Sequence, residues 1–333
     1  GCTQSHAICS GFSQANRGPA HGGGCFQPRP VDNPPVLKCL IAPRSACARP
    51  SISRNSPNLG PPKGPHMSSA TFLRDGYLRF DARADSLAWA KVAHAAGLAA
   101  LQDPEKADWR CGATWFVGVD ALGNDALGRC PSPEGRLGPK LGGPAVDFLQ
   151  ECQMVPISWH SAQLSVIRPG YPQPSGDESE TAFAFRRNRD AAHVDGLLPE
   201  GPERRRKIRE PHAFVLGLPL NLTDQGASPM VVWQGSHQVM RAAFAKALAP
   251  FPIQHWPDVD VTEAYQAARR TVFSQCPRVV MHAQPGQAYL MHRLTVHGVA
   301  PWQPGALCPA EGRMIAYFRP ETQGGLQDWL NAP

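Results

Sequence analysis

The stretch Ala288-Tyr-Leu-Met-His-Arg-Leu-Thr-Val-His297 is an almost unbroken run of apolar and β-branched residues, entered through the turn residues Gln284-Pro-Gly286. Its composition and length predict an extended segment over 288–296 rather than a helix. Period 2 then places Arg293, Thr295 and His297 on one face. The same reading extends outward to 162–168, 213–222, 230–233 and 313–318. Gly- and Pro-rich turns separate these segments, as at Pro169-Gly-Tyr-Pro172 and Trp302-Gln-Pro-Gly305. Upstream, Asp85 or Ser86 caps a predicted helix to Leu101, with Leu87, Trp89, Val92 and Leu98 as its apolar stripe. A second, short helix is expected over 145–153, and two more, at 239–248 and 261–270, lie among the strands. Helices followed by many short strands point to a mainly β fold with flanking helices, built on a sandwich or barrel core.

The chain has 333 residues, 42% of them hydrophobic and 18% charged, enough to build a packed core. The longest uncharged apolar run, 213–223, is far short of the ~18 residues of a membrane span, so a soluble protein is expected. The net charge of +6 is unevenly placed. Of 33 Lys+Arg and 27 Asp+Glu, residues 1–66 hold seven and one, leaving 26 of each in the rest. A balanced body offers no electrostatic footprint for nucleic acid.

Residues 1–66 also hold eleven prolines and eight glycines, with no Trp or Tyr, a composition that cannot offset chain entropy. This segment is expected to be a disordered basic tail, and 67–333 one domain. A translation start at Met67 is favoured over a transit peptide or a functional basic tail, because protein-like patterning begins there. The motif His21-Gly-Gly-Gly24 lacks the GxSxG that an esterase would need. No cysteine pair has CxxC spacing, and the five in the body read as free thiols of a reducing, cytoplasmic compartment.

The sharpest chemical signal is His193-Val194-Asp195. In an extended segment residues i and i+2 point the same way, so an imidazole and a carboxylate converge. His297 supplies a third ligand, and two histidines with one carboxylate form the facial triad of non-haem Fe(II) oxygenases. Sixteen residues on, Arg313 opens an extended segment, where its guanidinium could pair bidentately with a co-substrate carboxylate. Singly these signals are weak: a lone HxD or core His is common. Their order and spacing together are much less expected by accident.

These residues resemble the phytanoyl-CoA dioxygenase group of Fe(II)/2-oxoglutarate-dependent oxygenases, over roughly residues 70–320. Pro229-Met-Val-Val-Trp-Gln-Gly-Ser-His237 is similar to that family's strand and Pro-Gly-Ser-His turn, with Gln234 in place of Pro. The segment Gln284–His292 is similar to its Gly-Asp approach to the distal histidine, with Gln287 in place of Asp. The resemblance implies a double-stranded β-helix core of the jelly-roll or cupin kind. It implies Fe(II) on His193, Asp195 and His297 as catalytic metal centre, with 2-oxoglutarate held by Arg313 and O2 as co-substrate. Oxidative decarboxylation to succinate and CO2 would then drive attack on a C–H bond of a small-molecule substrate. Halogenating relatives lack the carboxylate of Asp195, so its presence argues for hydroxylation. Thr295 would orient His297 or touch the keto acid, unless its hydroxyl is bonded to backbone. Gln163 sits on an early strand where relatives sometimes contact 2-oxoglutarate.

Other features carry competing readings. The basic run Glu203–Glu210 could grip an anionic substrate, but a solvated loop neutralised by Glu200, Glu203 and Glu210 is favoured. His237 reads as structural, and His282 and His292 are alternative third ligands to His297. Trp115-Phe-Val-Gly-Val119 reads as core, and the insert 169–190 as part of the pocket wall. The rival to an oxygenase is a β-helix protein that binds a ligand or metal without turnover.

Overall fold

The computed structural model describes residues 69–333, apart from 107 and 177; the expected tail and the Met67 start lie outside the described residues. The chain begins with α1 (Ser69–Asp75), β1 (Tyr77–Phe80) and α2 (Ala84–Leu101). Next come β2 (Trp109–Arg110), β3 (Trp115–Gly118), α3 (Pro144–Glu151), β4 (Gln163–Ile167) and α4 (Glu180–Asn188). A hairpin, β5 (Leu197–Glu200) and β6 (Arg205–Ile208), leads to β7 (Phe214–Pro219) and β8 (Met230–Trp233). Then α5 (Ser236–Leu248) and α6 (Thr262–Gln275) precede β9 (Arg278–Met281) and β10 (Ala288–His292). The last elements are β11 (His297–Val299), β12 (Arg313–Phe318) and α7 (Gly325–Asn331).

The large sheet has the order β1-β10-β7-β12-β4-β3-β2 and the small one β11-β8-β9, with every pairing antiparallel. A bridge between His193 and His297 adds the His193 segment to the edge of the small sheet. From β4 onward, the β5–β6 hairpin aside, the chain changes sheet at every step except from β8 to β9, so β4-β12-β7-β10 face His193-β11-β8-β9. That is a double-stranded β-helix with flanking helices.

Three apolar layers follow from strand alternation. Between the sheets, Val215, Tyr289, Met291, Ile315 and Tyr317 meet Met230, Val232 and Met281. On the outer face of the large sheet, Leu216, Leu290, Met314, Ala316 and Phe318 meet α2 and α3 through Trp89, Ala93, Phe148 and Leu149. Behind the small sheet, Val231 and Trp233 meet Met240, Phe244, Tyr265 and Trp329.

Two local readings are corrected. The buried stripe of α2 is Trp89, Ala93, Ala96 and Ala100, whereas Leu87 and Leu98 are exposed. Small residues let the helix lie close to the sheet: a Cβ on Gly97 would come within 2.7 Å of Met314 Sδ. The extended run 288–296 is also broken. After β10, Thr295 N donates to His292 O (2.8 Å) and Leu294 N to His292 Nδ1 (3.0 Å), turning the chain into the small sheet. The run contains no Gly or Pro to mark that turn. The insert 169–190 contains α4, capped by Ser179 Oγ, which accepts from Ala182 N. Among the described residues no helix is long and apolar enough to cross a membrane. The five cysteines there are free thiols.

Candidate metal centre

The His193 segment and β11 lie side by side with two reciprocal backbone hydrogen bonds, His193 N to His297 O (2.8 Å) and His297 N to His193 O (2.9 Å). Directly paired residues of a ladder present their side chains on one face. The two imidazole centroids are therefore 4.6 Å apart. Asp195, two residues after His193, turns its carboxylate onto the same point. Its Oδ1 is 3.1 Å from His193 Nε2 and its Oδ2 3.6 Å from His297 Nε2. One ligand atom from each of the three residues lies within 4.8 Å of the others, the one such group among the described residues. Val194 points the opposite way into the apolar layer behind the small sheet.

Two glycines make this approach feasible. Gly298 lies against the 190–192 backbone, where a Cβ would come within 2.1 Å of Asp190 O. Gly196 turns the chain just after Asp195 with φ +80°, a conformation that L side chains rarely adopt.

Each ring Nδ1 faces a carbonyl oxygen, His193 to Ala191 O and His297 to Thr295 O, both at 2.9 Å. A carbonyl only accepts, so the proton sits on Nδ1 and each Nε2 is left to face the carboxylate. In the neutral ring this tautomer leaves the Nε2 lone pair available to a cation, whereas a ring protonated at both nitrogens donates through Nε2 to Asp195. Burial works against ionising Asp195, but His297, Arg319 and hydrogen bonds from both histidines hold its carboxyl well below the usual range. Burial likewise opposes charge on His297, yet the Asp195 carboxylate leaves its pKa raised. A permanent anion between two imidazoles, 6% exposed, is the electrostatic setting of a cation site.

Arg313 opens β12 on the face shared by Ile315 and Tyr317, between the sheets. It is 4% exposed, and its guanidinium meets the Tyr289 hydroxyl. Its Nε and Nη2 have no hydrogen-bond partner among the described residues. Gln163, paired with Tyr317, lines the cavity of about 60 Å³ beside the metal group. The Thr295 side chain faces elsewhere: its hydroxyl donates to Gly76 O (2.8 Å), and only its carbonyl serves His297. The backbone-bonded alternative thus describes Thr295. Of the other histidines, His292 contacts Arg241 and Leu294 and stacks on His237, and His282 faces Thr223 O. None of these reaches the group.

Sequence reasoning took Trp115 for core, expected the insert that holds Tyr171 in the pocket wall, and missed Arg319. Trp115 and Tyr171 line the small cavity, and Trp115 Nε1 donates to Ser165 Oγ (3.0 Å). Arg319 places Nη1 3.4 Å from Asp195 Oδ2. Strand parity with Arg313 was the signal that could have found it. Gln163 and Arg319 also line a larger cavity of about 1160 Å³, whose far wall includes Glu210 and His212.

Within the basic run 203–210, residues 205–208 form β6 of the β5–β6 hairpin rather than a loop, and 203–204 belong to its turn. Three of the run's five cations pair with acids: Arg205 with Glu203, Asp260 and Glu263, Lys207 with Glu200, and Arg209 with Glu200 and Asp258. Glu210 turns instead to His212 (3.3 Å).

No family model matches the chain, and no curated protein matches it. Several solved structures are similar. One is the non-heme alpha ketoglutarate dependent carbocyclase SnoK from nogalamycin biosynthesis, 14% identical over 81% of this chain and 91% of that one, TM-score 0.41. Another is the epimerase SnoN in complex with Fe3+, alpha ketoglutarate and nogalamycin RO, 14% identical over 76% and 81%, TM-score 0.39. A third is EctD from S. alaskensis with bound Fe, 15% identical over 75% and 74%, TM-score 0.35. The fold described above stands on the strand order of this chain alone.

Proposed function

We propose that the protein is an Fe(II)- and 2-oxoglutarate-dependent dioxygenase of the phytanoyl-CoA dioxygenase type that hydroxylates a small molecule. The observation that carries this reading is the convergence of His193 Nε2, Asp195 and His297 Nε2 on one point, with the buried, unsatisfied guanidinium of Arg313 on a strand of the facing sheet. Bound Fe(II), with 2-oxoglutarate and O2, supplies the oxidant that converts C–H to C–OH, with succinate and CO2 as the co-products. The chain holds the metal through two histidines whose tautomers are set by Ala191 O and Thr295 O, and through one carboxylate kept ionised. Arg313 offers parallel N–H donors to the distal carboxylate of 2-oxoglutarate, and Gln163 lies on the strand facing it. Halogenating members of the family that the chain resembles lack the carboxylate that Asp195 supplies here, which supports hydroxylation as the reaction. The cavity of about 1160 Å³, which meets the metal pocket at Gln163 and Arg319, is large enough for a small-molecule substrate.

Anaerobic titration with Fe(II) and 2-oxoglutarate tests the reading. A charge-transfer absorption is expected in the wild type and none in His193→Ala. Its absence in the wild type, or its persistence in the variant, would overturn the assignment. Succinate release coupled to O2 consumption separates turnover from mere binding.

A further inference from the structure

We infer that Arg319 is a positioning residue that holds Asp195 so that only one carboxylate oxygen faces the metal, at the junction between the metal pocket and the large cavity. The inference rests on the metal-binding reading above. Arg319 follows β12 and continues the face of Arg313, Ile315 and Tyr317. Its backbone is fixed on both sides: N donates to His160 Nε2 (3.3 Å), and the next carbonyl, Pro320 O, accepts from Ala213 N (2.7 Å). Its side chain is 9% exposed and its guanidinium permanently charged. The two oxygens of Asp195 are thereby made unequal. Each oxygen faces one imidazole, Oδ1 at 3.1 Å from His193 Nε2 and Oδ2 at 3.6 Å from His297 Nε2, but only Oδ2 is also engaged by Arg319, at 3.4 Å.

That inequality has a chemical consequence. A carboxylate can bind a cation through one oxygen or chelate it through both. Two histidines and one carboxylate oxygen leave three positions on a six-coordinate metal, and a chelating carboxylate leaves two. A 2-oxo acid that chelates takes two by itself. Holding one oxygen of Asp195 on Arg319 therefore preserves the third position, on which the co-substrate O2 depends. The same side chain lines both cavities, so the residue that sets the carboxylate is also one that a substrate entering from the larger cavity would pass.

The test uses the full chain, Co(II) as a visible and air-stable probe, and two variants. In Arg319→Met, Co(II) affinity measured by calorimetry is expected to fall about 10- to 100-fold, as for loss of other groups that orient metal ligands. The Co(II) visible spectrum in the presence of 2-oxoglutarate should also change, because Asp195 is free to chelate. Arg319→Lys keeps a cation on Oδ2 and should recover the wild-type band positions and most of the affinity. Wild-type affinity and spectrum in Arg319→Met would overturn the inference, as would equal impairment of both variants. If Arg319→Met does not fold by circular dichroism, Arg319→Lys decides: unshifted bands support the inference and shifted bands overturn it. Failure of the wild type to bind Co(II) at all would instead overturn the metal-binding reading.

Discussion

Arg313 is 4% exposed, and two of its nitrogens lack hydrogen-bond partners among the described residues. A buried, unsatisfied cation is costly in the free protein, and that cost is recovered when an anion arrives. Arg313→Met should therefore leave the stability of the ligand-free protein unchanged or raise it by about 1–2 kcal/mol. It should weaken 2-oxoglutarate binding at least about 30-fold, since truncating one partner of a buried charge pair costs about 2 kcal/mol or more. Denaturant melts and titration of the charge-transfer band measure the two effects separately, and a merely structural arginine would show the opposite pattern. His160 gives a second prediction. Burial, with Arg319 and His212 nearby, pushes its imidazole down to about 4 from 6.5. Below pH 6.5 the unfolded chain takes up a proton that the folded chain refuses. Its stabilising effect is thus fully present above pH 6.5 and is lost as pH falls toward 4, by up to about 3 kcal/mol. His160→Gln should flatten the stability profile in that window; an unchanged slope would show that other groups govern it. That His193, Asp195 and His297 come together was readable from sequence through their order and spacing, since each signal alone is common. Arg319 was not singled out, because its role depends on a contact 124 positions away, with Asp195.

The elements that hold the centre are short, and their precision comes from backbone contact. β11 has three residues, and the His193 segment contributes a single bridge. Gly298 is the point where these two chains nearly touch. Gly298→Ala would set a methyl group against Asp190 O, and backbone at that distance cannot yield without moving β11. The expected result is a stability loss of about 2 kcal/mol or more, with metal affinity falling at least tenfold as His193 and His297 separate. Wild-type metal affinity in a folded Gly298→Ala protein would show that the two segments need not pair. The β5–β6 hairpin is the control. Its ion pairs are largely exposed, so Arg205→Gln should change stability by no more than about 1 kcal/mol and leave metal binding untouched. Legibility followed length and punctuation. Strands 230–233 and 313–318 were read to the residue because turns or strong apolar contrast bound them. β1, β3, β9 and the hairpin were missed: four residues are too few to display a period, and β8, no longer, was read only because Ser228-Pro229 and Gly235 bound it. The turn after His292 was invisible because the chain changes sheet inside an apolar run, through hydrogen bonds that no single residue type announces. α4 was hidden by the polar, Gly-rich insert around it.

Across the whole molecule, the proposed metal ligands and the proposed co-substrate cation stand on opposite sheets. His193, Asp195 and His297 belong to the small sheet and its edge, and Arg313 belongs to the large one. A 2-oxo acid bound to the metal at one end and to Arg313 at the other would therefore tie the two sheets together. Ligands that bind only the folded state stabilise it by mass action, about 2.7 kcal/mol at a hundredfold excess over Kd. For a domain of this size, each kcal/mol shifts Tm by about 2–4 °C. Anaerobic melting should then show an increment with Fe(II), little with 2-oxoglutarate alone, and a further rise of about 5–10 °C when both are present. In Arg313→Met the Fe(II) increment should survive and the further rise should vanish, because the anchor on the large sheet is gone. In His193→Ala both should vanish, because without the metal the keto acid has no hold on the small sheet. Additive, independent shifts from the two ligands would mean that they do not share a site, and the bridge between the sheets would have to be abandoned.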